Sequence, residues 1–231
     1  MGDVTLESYR AFDVAVTRLL RKAREEEGHT IPCAPGCDAC CSSAALATPF
    51  EIPVVIEAVR AMPPGERAAL HTRLQAWARA LRNAGVDVMD DEPPIRLYEG
   101  ARATCPFLQD HRCSIYAVRP LACRGHYVID APASVCADRV RHPTVQVLIL
   151  NEPLLTIVAH LQQAFGTEKI RVVLFQTLVL LAWELVEQDA PGYEAWVERT
   201  LGTGTRLTAK EMKAARRYAA RLGTLPVGGP R

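Results

Sequence analysis

The sequence predicts a mostly α-helical protein, a helical bundle packed around a loop-rich cysteine module that binds metal. Three observations carry this. Apolar residues recur at three- and four-residue spacing over long stretches, and alternating strand patterns are nearly absent. All eight cysteines fall between residues 33 and 136, leaving the first 32 and last 95 residues without any. Pro and Gly crowd the cysteine segments and exclude regular structure there.

Residues 5–27 read as an amphipathic helix with Tyr9, Phe12, Val16, Leu19, Leu20 and Ala23 on one face, stopped by Gly28. The first cysteine loop follows, broken by Pro32, Pro35 and Gly36. Thr48-Pro49-Phe50-Glu51 has the form of a capping box. Pro53 conflicts with a helix starting directly there, so that helix is expected to begin two or three residues later, with Val54, Val55, Ile56 and Val59 as its apolar face. Pro63-Pro64-Gly65 breaks the chain. Residues 66–83 then give a stripe of Leu70, Leu74, Trp77 and Leu81, ended by Gly85.

Residues 86–104, acidic and Pro-containing, read as a surface connection, and residues 105–142 as a second, loop-rich cysteine segment. Val145 to Leu150 fits strand or helix. Asn151 is a candidate N-cap for a helix through Phe165. Thr167 would cap the next, through about Gln188, within which the apolar run Val172 to Trp183 reads as buried core. A short helix near 192–201, a basic one from Thr208 to Leu222 and a loose tail complete the chain. The whole, residues 1–231, is expected to be one domain, with the module at 30–140 between flanking helices 5–27 and 143–222.

Composition narrows the function classes. The chain has 231 residues, 49% of them hydrophobic, so a core can form without disulfides. Its 27 basic and 26 acidic residues nearly cancel, which makes nucleic acid an unlikely partner. The basic face of Lys210, Lys213, Arg216, Arg217 and Arg221 reads as a solvated surface. The longest apolar run has about a dozen residues where a membrane span needs ~20, so no membrane partner is expected. The N-terminus lacks a secretory pattern. A cytoplasmic location is expected, where thiols stay reduced and clustered cysteines are metal ligands rather than disulfides.

The candidate ligands are Cys33, Cys37, Cys40, Cys41, Cys105, Cys113, Cys123 and Cys136. The short loops between Cys33, Cys37 and Cys40 let successive sulfurs reach one centre. Cys40 and Cys41 are adjacent, and consecutive side chains usually diverge, so their sulfurs are expected to serve different metals or one to bridge two. Eight thiolates divide into two four-ligand sets, favouring a polynuclear centre over a single zinc. Four thiolates on a divalent ion leave a net charge of about −2, which Arg119 and Arg124 are placed to offset while donating N–H bonds to sulfur. His126 and His111 lie near cysteines but read first as structural or exposed histidines. The spacing of Cys33, Cys37 and Cys40 also matches radical S-adenosylmethionine enzymes, a reading set aside because no βα alternation appears.

Cys-x3-Cys-x2-Cys-Cys, followed by Cys105-Pro-Phe-Leu, Cys113-Ser-Ile-Tyr, Arg119-Pro120 and Cys123-Arg124-Gly125, resembles the YkgJ-type cysteine-cluster family over roughly residues 30–140. That resemblance implies a zinc- or iron-chelating domain. Flagellin lysine N-methylases carry a similar pattern and are associated with an iron–sulfur cluster, which tilts the expected cofactor toward iron–sulfur over zinc. The implied function is a metal-centre protein with a redox or protein/peptide-modifying role and a protein or peptide partner. A zinc-binding structural, interaction or storage module is the alternative.

Overall fold

The computed structural model describes residues 2–34, 36–86, 101, 103–138, 151–164, 169–170, 173–174 and 205–206. The protein is mostly α-helical. Helix α1 runs Gly2–Glu25, one turn longer at its start than the periodicity predicts. Gly28, at φ +75°, lets the chain turn so that the His29 N–H closes back on the Ala23 carbonyl. Helix α2 (Ile52–Arg60) is preceded by a 3-10 turn, Pro49–Glu51. The delayed start follows from Pro53, which sits in the first turn where no N–H is needed. Helix α3 (Pro64–Asn83) starts inside the Pro-Pro-Gly sequence, with Pro64 in its first turn, and its stripe of Leu70, Leu74, Trp77 and Leu81 is buried as expected.

The second cysteine segment is built from short pieces. Strands β2 (Leu108–Gln109) and β3 (Arg112–Cys113) form a hairpin whose corner residues, Asp110 and His111, both have positive φ. Two left-handed residues in succession give the turn that matches strand twist. A 3-10 turn (Tyr116–Val118), helix α4 (Leu121–Arg124) and a second 3-10 turn (Ala133–Asp138) follow. Helix α5 (Asn151–Ala164) packs along α1.

One expectation is corrected beyond α5. Lys169–Ile170 and Val173–Leu174 are strands, β4 and β5, not the first turns of a helix capped by Thr167. β5 pairs antiparallel with β1 (Leu46–Ala47), placing Leu46 opposite Leu174. β4 pairs with β6 (Thr205–Arg206). An apolar run has no inherent period, and here pairing with a distant partner decides it. Residues 87–100 and 102 of the expected surface connection, and the helices expected from 175 to 222, lie outside the described residues, apart from β6; Ala103, at the end of that connection, is buried.

One large core cluster joins these parts. Phe12 and Val16 of α1, Phe50, Val55 and Val59 around α2, and Leu70 and Leu74 of α3 meet Phe107, Ile115 and Leu121 of the cysteine module, with Ile157 and Leu161 of α5. Phe12, Phe50 and Phe107 are among the most completely buried side chains, each stabilising by about 1.5–3 kcal/mol. Cys105, Cys113 and Cys123 pack against this same core.

Glu51 is the polar centre of that core. Its carboxylate is 1% exposed and accepts the Thr48 N–H at 2.8 Å and Thr48 hydroxyl at 3.2 Å; this is half of the expected box, because the Glu51 N–H donates to the Thr48 carbonyl at 3.1 Å rather than to the Thr48 side chain. It also accepts the Tyr9 hydroxyl of α1 at 3.2 Å and the Leu121 N–H that opens α4 at 2.8 Å. Burial pushes its pKa up, opposed by these hydrogen bonds. Because the folded pKa exceeds the unfolded one, protonation favours the fold. That contribution is fully present below the ordinary carboxylate range and is lost as pH rises through the raised value.

Replacing Glu51 with Ala should destabilise the protein by about 3 kcal/mol or more, since it strands several buried donors. Glu51→Gln, which keeps an acceptor and removes the buried charge, should cost clearly less. Chemical denaturation of the two variants measures the difference, and equal losses would contradict the role given to the carboxylate.

Candidate metal centre

The four N-terminal cysteines sit on a chain path fixed by its backbone. Gly36, at φ +86°, turns the loop, and the Cys37 N–H donates to the Ala34 carbonyl at 3.0 Å. Ala39–Ser42 forms a 3-10 turn carrying Cys40 and Cys41. The two cysteine segments are then sewn together. The Cys105 N–H donates to the Cys41 carbonyl at 2.8 Å, and the Ser43 hydroxyl donates to the Cys136 carbonyl at 2.8 Å. His111 Nδ1 lies 2.7 Å from Asp38 Oδ2. Asp130, at φ 52°, accepts the Thr30 N–H at 2.7 Å and lies 2.7 Å from His29 Nδ1. Each of these contacts spans the residues between the two segments.

The result is a cavity of about 560 Å³ lined by Cys37, Cys40, Cys41, Cys105, Cys113 and Cys123. Six of the eight expected ligands thus share one wall. The remaining two stand beside it. Cys33 lies near enough to Cys37 and Cys40 for their charges to act on it. Cys136 is buried with Val128 and Val135 and packs against Cys40. All eight thiols are unbridged. Among the described residues no three Cys, His, Asp or Glu side chains form a ready ligand group, so the thiols line the cavity without being drawn into a closed cage.

The adjacent pair departs from expectation. Cys40 and Cys41 do not diverge: both face the cavity, and the Cys41 thiol donates a hydrogen bond to Cys40. The tight 3-10 turn brings the consecutive side chains together. That bond, aided by Cys40's own N–H and by Arg119 and opposed by burial, brings the Cys40 pKa down to about 7. The same bond, with burial, pushes Cys41 well up. Burial also raises Cys123, followed by the charges of Cys105, Cys40 and Cys113. Cys33 and Cys113 are raised by burial, against N–H bonds from Val128 and Ile115 respectively. Backbone N–H groups already aimed at sulfur stabilise thiolates, as a metal centre requires.

The two arginines expected beside the sulfurs differ in placement. Arg119 lines the cavity, lies 4.1 Å over the Tyr116 ring, and lowers the pKa values of Cys40, Cys113 and Cys123. Arg124 is buried away from the cavity wall. It donates to the Arg119 carbonyl at 2.8 Å, to the Ala117 carbonyl and to Asp13 at 2.6 Å, and stacks on Tyr9 at 4.3 Å. It braces the loop that presents Arg119. Glu51 and Arg124 thus hold α4, with Cys123, from two sides. The capping-box pattern identified Glu51 as a helix start, but no sequence signal tied it to Leu121, 70 residues away. His111 is at the cavity mouth, 83% exposed and held by Asp38.

A domain built of paired cysteine segments around one thiol-lined cavity belongs to the metal-chelating class. Residues 32–137 match the family model of CxxCxxCC domains, described as a "putative zinc- or iron-chelating domain". No curated protein and no solved structure matches the chain. Among the described residues no helix is long and apolar enough to cross a membrane.

In metal-free reduced protein at neutral pH, brief iodoacetamide treatment should label Cys40 ahead of the buried Cys123, as the thiolate is the reactive form. Peptide mass spectrometry reads the order, and faster labelling of Cys123 would contradict the electrostatics above.

Proposed function

We propose that this protein holds a polynuclear iron–sulfur centre, with Cys33, Cys37, Cys40, Cys41, Cys105, Cys113, Cys123 and Cys136 as its ligands. The observation that carries the reading is the convergence of six cysteines, from both segments, on one cavity. Eight ligands allow two adjoining sets, one with Cys41, Cys105, Cys113 and Cys123 and one with Cys33, Cys37 and Cys136, and Cys40 interacts with members of both, among them Cys33, Cys41, Cys113 and Cys123. The Cys40–Cys41 pair joins them, so one of its sulfurs can bridge. A single zinc closes with four ligands and leaves such a surplus unexplained.

The residues present fit such a group: soft thiols, N–H donors on sulfur, and two arginines, Arg112 and Arg119, at the wall. When bound, an iron–sulfur centre supplies electron transfer tuned by hydrogen bonds to its sulfurs. Arg119 offsets thiolate charge, Arg124 and Glu51 hold the elements that present Arg119 and Cys123, and the apolar wall of Phe107 and Ile115 limits water. A reducing compartment such as the cytoplasm keeps the eight thiols available, and a redox or protein-modifying role follows from a centre that is open to the surface rather than sealed.

Metal and acid-labile sulfide analysis with a visible spectrum, on protein purified without oxygen, tests this. Iron, sulfide and a broad band near ~400 nm are expected. Colourless protein with stoichiometric zinc would replace the reading with a zinc module. Cys113→Ser and Cys33→Ser should each lose about half the metal, from different sets. Cys40→Ser and Cys41→Ser should both lower metal content and leave different residual spectra. Full metal content in any one of these variants would remove that cysteine from the ligand set.

A further inference from the structure

The cavity offers more than sulfur. Its remaining wall is largely apolar, including Phe107, Leu108, Ile115 and Pro120, and Tyr116 stands at it 55% exposed. A volume of about 560 Å³ is that of a small-molecule site, and apolar walls with a few converging polar groups are the usual form of one. Outside the thiols the charged side chains are of one sign. Besides the cysteines and Tyr116, the ionisable lining residues are His111, Arg112 and Arg119, and the lining contains no carboxylate. Asp38, outside the wall, engages His111. Arg112 and Arg119 are left facing the space.

Arg119 adds the second observation. Its Nε is buried and has no hydrogen-bond acceptor among the described residues, while the guanidinium carbon lies 4.1 Å from the Tyr116 ring centroid. A buried N–H on a charged fork calls for an acceptor, and the planar fork matches a carboxylate. We propose that the cavity binds a small organic anion, a carboxylate on an apolar body, beside the thiolate centre, with Arg119 as its counter-charge and Phe107 and Ile115 against the body. This extends the metal-centre reading by giving that centre a ligand class. It takes the anion site from Arg119 and the apolar wall, so it can be tested with or without metal.

The experiment titrates the full chain with benzoate, with benzamide as the neutral isostere and benzylamine as the cation, by calorimetry, in metal-loaded and reduced metal-free protein. Saturable benzoate binding, at least fivefold tighter than benzamide and with benzylamine weakest, is expected. In reduced metal-free protein, where metal uptake plays no part, Arg119→Gln should erase that preference and Arg119→Lys should keep part of it. Equal affinity for benzoate and benzamide, absence of saturable binding, or an intact preference in Arg119→Gln would overturn the proposal. An Arg119→Gln effect on the visible spectrum alone, with benzoate binding intact, would likewise overturn it and assign the guanidinium to the sulfurs. If Arg119→Gln does not fold, the wild-type preference and its loss at high salt decide the matter. Failure of wild-type protein to take up iron would refute the metal-centre reading, and the benzoate comparison in reduced metal-free protein would still decide this one.

Discussion

The fold turns on one buried carboxylate. Glu51 receives hydrogen bonds from α1 through Tyr9, from its own turn through Thr48, and from the cysteine module through Leu121. A buried charge is tolerated only when its lone pairs are used, and here both oxygens are. Because each donor comes from a different element, the network sets the position of α4, and so of Cys123, relative to α1 and α2. Arg124 completes the arrangement by stacking on the same Tyr9 and reaching Asp13. The apolar core supplies most of the stability, but it is this polar joint that gives the core a single register.

Around that joint the module is economical in regular structure. Its two segments contain 3-10 turns, a two-residue-strand hairpin and a four-residue helix. Such pieces would not persist alone. They are held because Phe107, Ile115 and Leu121 are shared with the helical core, and because Cys105 N–H to Cys41 O ties the segments directly. Core and cavity therefore share one stretch: Cys105, Phe107, Cys113 and Ile115 all stand between them. A metal centre in this place would be supported by the core on one side and open on the other.

The electrostatics of the thiols follow from the same placement. Burial opposes thiolate formation at Cys33, Cys113 and Cys123, while N–H bonds and Arg119 favour it. Cys40 is the thiol for which the favourable effects win, through its neighbour. Metal binding, which needs deprotonated sulfur, would begin most readily there and draw the others down as charge is neutralised.

Much of this was written in the sequence. Helix periodicity placed α1, α2, α3 and α5 to within a turn, because an amphipathic stripe is a local property. The cysteine spacing and the motifs around Arg119 and Cys123 marked the site and its metal class, because ligand types and short loops are read directly. Three things depended on tertiary contacts. The strand at Val173–Leu174 exists through pairing with Leu46–Ala47, some 127 residues earlier in register. The convergence of Cys40 and Cys41 follows from a 3-10 turn whose Cys41 carbonyl accepts the Cys105 N–H. The division of labour between Arg119 and Arg124 was decided by Asp13 and Tyr9, which lie on α1, more than 100 residues away in sequence. Sequence reports which side chains are present at what spacing, and long-range packing determines which way each one faces.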